Sequence, residues 1–111
     1  MITVTLLRDG QGRLRGFDCS GHAGYARAGK DIVCAAVSVL TTTCVNALES
    51  VAGVEPTVTV RDGAMRAVLT AVQADIRDAQ IILRTFEQGI SDIAASYSKH
   101  IRTEEQHYVE T

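Results

Sequence analysis

His22 and Cys34 are the residues of this chain whose types and spacing could do chemistry. They stand in the frame Gly21-His22-Ala23, then residues 24–30, then Asp31-Ile32-Val33-Cys34-Ala35-Ala36-Val37-Ser38. A thiol and an imidazole are the two groups that cysteine-dependent acyl transfer needs. The pattern puts His22 at the end of a strand and Cys34 at the start of a helix, with a Gly-punctuated loop between them. With Asp31 as N-cap, Cys34 falls at the third helical position. Unpaired backbone N–H groups and the positive end of the helix dipole are there, and such a setting favours a thiolate. His22, with Lys30 or Arg27, would add to it. Cys34 would attack a carbonyl, His22 would protonate the leaving amine, and the first-turn N–H groups could hold the oxyanion. The plain alternatives are a packed core thiol for Cys34 and a backbone-bonded loop residue for His22.

Asp31 has two roles open to it, helix N-cap or orienting partner of His22. Ser38 lies one turn beyond Cys34 on the same face, where it either supports the site or bonds back to a helix carbonyl. Residues 24–30, Gly-Tyr-Ala-Arg-Ala-Gly-Lys, read as a candidate lid, with Gly24 and Gly29 as hinges and Tyr25 over an apolar substrate side chain. Gly21, Gly24, Tyr25, Gly29 and Lys30 are therefore the candidate substrate-binding residues. Cys19, His22 and Cys34, with Asp18 or Asp31 as a fourth ligand, would be a zinc site in a different reading. Cys44 falls in mid-helix and reads as core.

The elements that must position these residues follow from periodicity. Ile2, Val4 and Leu6 alternate as a strand, Asp9-Gly10 and Gly12 turn the chain, and Leu14 to Cys19 returns with Phe17 and Cys19 on one face. Ile32 to Ala52 reads as a nearly uncharged helix that ends at Gly53, with Val33, Val37, Leu40, Cys44, Leu48 and Val51 recurring at three- and four-residue steps. A helix so apolar must be buried on more than one side or meet a partner chain. Pro56 opens a second hairpin, Thr57–Arg61 and Ala64–Thr70, turned by Asp62-Gly63. A second helix spans about Asp75 to Tyr97, with Ala79, Ile82, Leu83, Phe86, Ile90, Ile93 and Tyr97 as its apolar stripe. Gly89 in that stripe would permit close helix contact. Arg84, Glu87 and Asp92 read as its solvated face. Residues 99–109, with His100 and His107 exposed, read as a last edge strand. The predicted fold is α+β: a two-layer sandwich in the order ββαββαβ, with a mainly antiparallel sheet and two helices.

The whole chain sets bounds. Its 111 residues form one domain, with 46% hydrophobic and 22% charged residues. The formal net charge of -2 argues against a large nucleic-acid footprint. The longest apolar run, Ile32 to Leu40, is short for a membrane span, and the start lacks signal-peptide features. Three cysteines form no disulfide framework. Together these give the expectation of a cytoplasmic protein with free thiols.

The His22/Cys34 frame resembles that of the ribosomal-processing cysteine proteases, the Prp family. Val45-Asn46-Ala47 in the first helix and Ala79-Gln80-Ile81-Ile82-Leu83 in the second extend the resemblance over nearly the whole chain. It implies an endopeptidase without cofactor that trims an apolar, aromatic-ended N-terminal extension from a precursor ribosomal protein, L27 of the large subunit. It further implies Cys34 as nucleophile, His22 as general base and acid, and Asp31 and Ser38 in support. A homodimer is implied as well, with no direct contact to nucleic acid or membrane. The rival functions are a non-catalytic ribosome-assembly factor of the same fold and a small zinc-binding module.

Overall fold

The structure, a computed structural model, describes residues 1–21, 24 and 31–110. The first hairpin pairs β1 (Ile2–Arg8) with β2 (Leu14–Gly21). Its turn is built by Asp9, whose Oδ1 accepts from the amides of Gln11 and Arg13 at 2.9 and 3.0 Å. Next come α1 (Ile32–Ser50), β3 (Thr57–Arg61) and β4 (Ala64–Val68). They are followed by α2 (Ala71–Ala74), α3 (Arg77–Ser96) and β5 (Ile101–His107). The sheet order is β3-β4-β2-β1-β5. Every neighbouring pair is antiparallel except β1 and β5, which run parallel. The ββαββαβ order and the mainly antiparallel sheet agree with the sequence reading.

Two boundaries differ. The helix expected from Asp75 to Tyr97 is α3, and a short helix that the sequence reading did not expect, α2, precedes it, so the described residues hold three helices. Thr70 caps the short one. Its hydroxyl accepts from the Gln73 amide at 3.2 Å while the Gln73 side chain accepts from the Thr70 amide at 3.0 Å, a reciprocal capping box. That cap also ends β4 at Val68 rather than Thr70. Ile76 then takes an extended conformation (φ -72°, ψ 122°), from which α3 starts afresh.

The helices cover one face of the sheet. Phe17 of β2 stacks on Phe86 of α3, with ring centroids 4.3 Å apart. Val4, Phe17, Val33, Leu48, Ala79, Leu83 and Ile90 are almost wholly buried in the layer between. Gly89 lets α1 and α3 come close, as its position predicts: a Cβ there would stand 2.9 Å from Leu40 Cδ1. Of the expected stripe on α1, Val33, Val37, Cys44 and Leu48 are buried, with Thr41 among them. Val51 instead is exposed and Leu40 only half-buried, because the buried stripe of α1 is narrow.

The length of α1 corrects the estimate made from its first apolar run. It has 19 residues, and an 18-residue window of it has a mean hydropathy of 1.6, long and apolar enough to cross a membrane by length and composition. Ser38, Thr41 to Thr43 and Asn46 interrupt the apolar run without adding charge. In this fold the Val33–Leu48 stripe packs into the core as a core helix does.

Candidate active site

Cys34 sits in the first turn of α1, half-buried at the edge of the core. Asp31 is the N-cap and is itself buried. Its Oδ1 accepts from the amides of Val33 and Cys34, each at 3.0 Å, and its carbonyl accepts from the amide of Ala35, also at 3.0 Å. The spacing Asp-x-x-Cys therefore anchors the nucleophile candidate through its own main chain. This arrangement settles the capping role of Asp31 and corrects one expectation. The amides of Val33, Cys34 and Ala35, expected to be unpaired, are engaged by Asp31.

Ser38 is exposed one turn further on. Its carbonyl accepts from Thr41 Oγ1 at 3.0 Å. At the other side of the site, β2 carries the chain to Gly21, the residue before His22. Gly21 has φ +90°, and its amide donates to the Gly63 carbonyl at 3.1 Å. A Cβ at this position would lie 2.3 Å from the Met1 carbonyl oxygen, so only glycine fits. Its part is thus to bring the strand end tightly against β1 and the Asp62-Gly63 turn. Gly24 is exposed with φ +66°. His22, Tyr25, Gly29 and Lys30 lie outside the described residues, as does the loop around them.

The three thiols have different surroundings. Cys44 is buried in mid-helix, and burial pushes its pKa up to about 12. It is the core thiol its position predicts. Cys19 is half-buried, and its pKa is raised first by burial, then by the Asp18 carboxylate, then by the charge of Cys34. Cys19 and Cys34 are therefore electrostatic neighbours. The sequence reading put Cys19 on the face of Phe17 and weighed it as a metal ligand; what it did not give is the proximity of Cys19 to Cys34. Among the described residues no three His, Cys, Asp or Glu side chains gather as a metal site. The zinc reading depends on His22.

A half-exposed thiol, held at a helix N-terminus by a buried carboxylate, has the surroundings that favour a nucleophilic thiolate. Comparison with known proteins points the same way. Residues 1–102 match the family model described as Cysteine protease Prp. The Staphylococcus aureus ribosomal processing cysteine protease Prp is 29% identical over 102 residues, which span 92% of this chain and 96% of that one. A crystal structure of the S. aureus protease with a covalently linked product peptide superposes with a TM-score of 0.89 at 28% identity. It covers 96% of this chain and 100% of its own. The Streptococcus mutans protein SMU.848 is similar at a TM-score of 0.84 and 32% identity, covering 97% of this chain and 96% of its own.

Proposed function

The chain belongs to the cysteine protease Prp family, and on that premise we propose that it removes the apolar N-terminal extension of ribosomal protein L27 through a Cys34/His22 dyad. The observation that carries this reading is Cys34, half-exposed in the first turn of α1 and fixed by the buried Asp31. The Cys34 thiolate attacks the carbonyl carbon of the scissile bond. His22 delivers a proton to the departing amine, leaving an acyl-thioester. Water, deprotonated by His22, then hydrolyses the thioester and frees Cys34. The enzyme works in the cytoplasm, where its three cysteines remain thiols.

The same reading includes a homodimer. The outward side of α1 carries no charge before Glu49, and it leaves Ile32, Val39 and Val51 exposed. Between α1 and α3 runs an apolar groove of about 180 Å³, lined by Leu40, Cys44, Ile81 and Phe86 among others. A second copy of the chain would cover both.

The test is the host's L27 precursor, incubated with the protein and followed by intact mass. Loss of the N-terminal extension alone is expected. A precursor that stays whole in the presence of folded protein would remove L27 as substrate.

A further inference from the structure

Strand alternation gives Leu7 to the sheet face that the helices leave uncovered. Leu6 partners Phe17, the residue stacked on Phe86, whereas Leu7 partners Gly16 and Gln106. Leu7 is nevertheless 0% exposed. Arg15 and the residues after β5 gather at that end of the sheet. Tyr108 stands two residues beyond Gln106, on the same face, and its amide donates to the Arg8 carbonyl at 2.8 Å. Its ring centroid lies 4.9 Å from the Arg15 guanidinium carbon, and Glu110 pairs with the same guanidinium.

The charges around Arg15 divide unevenly. Arg15 is buried, so its cation needs carboxylate partners. Asp9 supplies part of this: its Oδ2 lies 3.0 Å from Arg13 Nε and 3.5 Å from Arg15 Nη1, so two guanidiniums share one carboxylate oxygen. The Nε of Arg15 is taken by the Leu69 carbonyl at 3.0 Å, and Nη2 meets Glu110. Asp9 is fixed by the amides of Gln11 and Arg13. Glu110 is held differently. Its side chain is half-exposed, on a tail beyond the residues that match the family model. The cradle thus belongs to the body of the fold, and the tail is its displaceable partner.

We propose that Arg15, held by Asp9 and the Leu69 carbonyl, is a binding site for an acidic peptide with an aromatic ring two residues before a carboxylate, and that Tyr108-Val109-Glu110 fills it as a tethered ligand. When the tail leaves, Arg15 keeps a share of Asp9 and loses both Glu110 and the ring. A carboxylate and an aromatic face arriving together restore what was lost. The site stands at the sheet end away from Gly21, and the inference is independent of Cys34 and of peptide cleavage.

The test adds free ligand to the emptied site. The full chain carrying Tyr108→Ala and Glu110→Gln is titrated with acetyl-Tyr-Val-Glu-amide, alongside the parent. Backbone amide NMR signals of Leu7, Arg8 and Leu69 report on the site, and signal dispersion over the rest of the chain reports on folding. Saturable shifts are expected in the variant. In the parent the tethered tail competes at an effective concentration on the order of millimolar, so about tenfold more peptide should be needed. The same peptide with glutamine in place of its glutamate should bind the variant about tenfold more weakly. No shifts in a folded variant, an equal response from parent and variant, or equal binding of the two peptides overturns the proposal. Glu110→Gln alone changes one half-exposed side chain on the tail. It is the second variant should the first not fold, and the same order of affinities is required of it.

Discussion

Asp31 fixes Cys34 through two backbone amides, and each atom of that contact is open to mutation. Asp31→Asn keeps an acceptor oxygen at the cap, and urea denaturation should find stability within about 0.5 kcal/mol of the parent. Asp31→Ala leaves the Val33 and Cys34 amides without their acceptor and should cost about 1 kcal/mol. Equal losses for both would contradict the capping account, and full stability in Asp31→Asn with lost cleavage would give the carboxylate a second part beside His22. The thiols offer another check. Cys44, with its pKa pushed up to about 12 in the core, should resist iodoacetamide at neutral pH for as long as the chain is folded. Its alkylation at the rate of Cys34 would place it outside the core. At this scale much of the sequence was legible: Cys44 as core follows from its mid-helix position, and Asp31 as cap was one of the two roles its spacing left open. Cys19 beside Cys34 does not follow, because that proximity joins a strand to a helix across the chain.

Among the elements, the contact between α1 and α3 depends on Gly89. Alanine there gains about 1 kcal/mol of helix propensity, and Leu40 is the end of a flexible side chain that can shift a few tenths of an ångström. Gly89→Ala should therefore change the melting temperature little, while Gly89→Val, bulkier and β-branched, should lower it clearly. A Gly89→Val chain melting with the parent would mean the helices are not in contact there. The sequence marked Gly89 for this role because it interrupts a clean apolar stripe. It did not mark the short helix before α3, because Thr70 was read as the end of a strand and a single capping box is easily absorbed there. The parallel pairing of β1 with β5 and the β2–β4 pairing join strands far apart in sequence. Periodicity cannot give such pairings, so the pairing of Leu7 with Gln106 became visible only with the sheet order.

Across the whole molecule, the end opposite Cys34 is held by a buried charge network. Arg15 is 4% exposed; its Nε donates to the Leu69 carbonyl at 3.0 Å, and its guanidinium pairs with Asp9 at 3.5 Å and with Glu110. The Tyr108 ring lies 4.9 Å away, and Tyr108 continues from β5 to bond the Arg8 carbonyl. Arg15 thus ties β1, β2, the end of β4 and the C-terminal residues together. Arg15→Met leaves Asp9 and the Leu69 carbonyl without this partner and should destabilise the fold by about 3 kcal/mol. Burial alone would raise the Asp9 pKa, but the amides of Arg13 and Gln11 and the Arg13 guanidinium prevail and lower it. Its contribution to stability is therefore complete above the ordinary value of 3.8 and is lost as pH falls through the depressed one. Asp9→Asn should be less stable than the parent at neutral pH and lose less on acidification below that value. An unchanged acid dependence would remove Asp9 from the account. The proposed dimer belongs to this scale too: sedimentation should find two copies, and Val39→Asp, a charge placed on an exposed apolar position, should give one. A parent chain sedimenting as a single copy would contradict it.

The identity of the nucleophile is the claim on which the mechanism stands, and Cys19 is its nearest rival. The direct measurement is mass mapping of the protein after reaction with a chloromethyl ketone built on the L27 extension peptide, alongside cleavage by Cys34→Ala. The account predicts one adduct, on Cys34, with activity lost in step, and no cleavage by the variant. An adduct confined to Cys19, or cleavage that survives in Cys34→Ala, would contradict it.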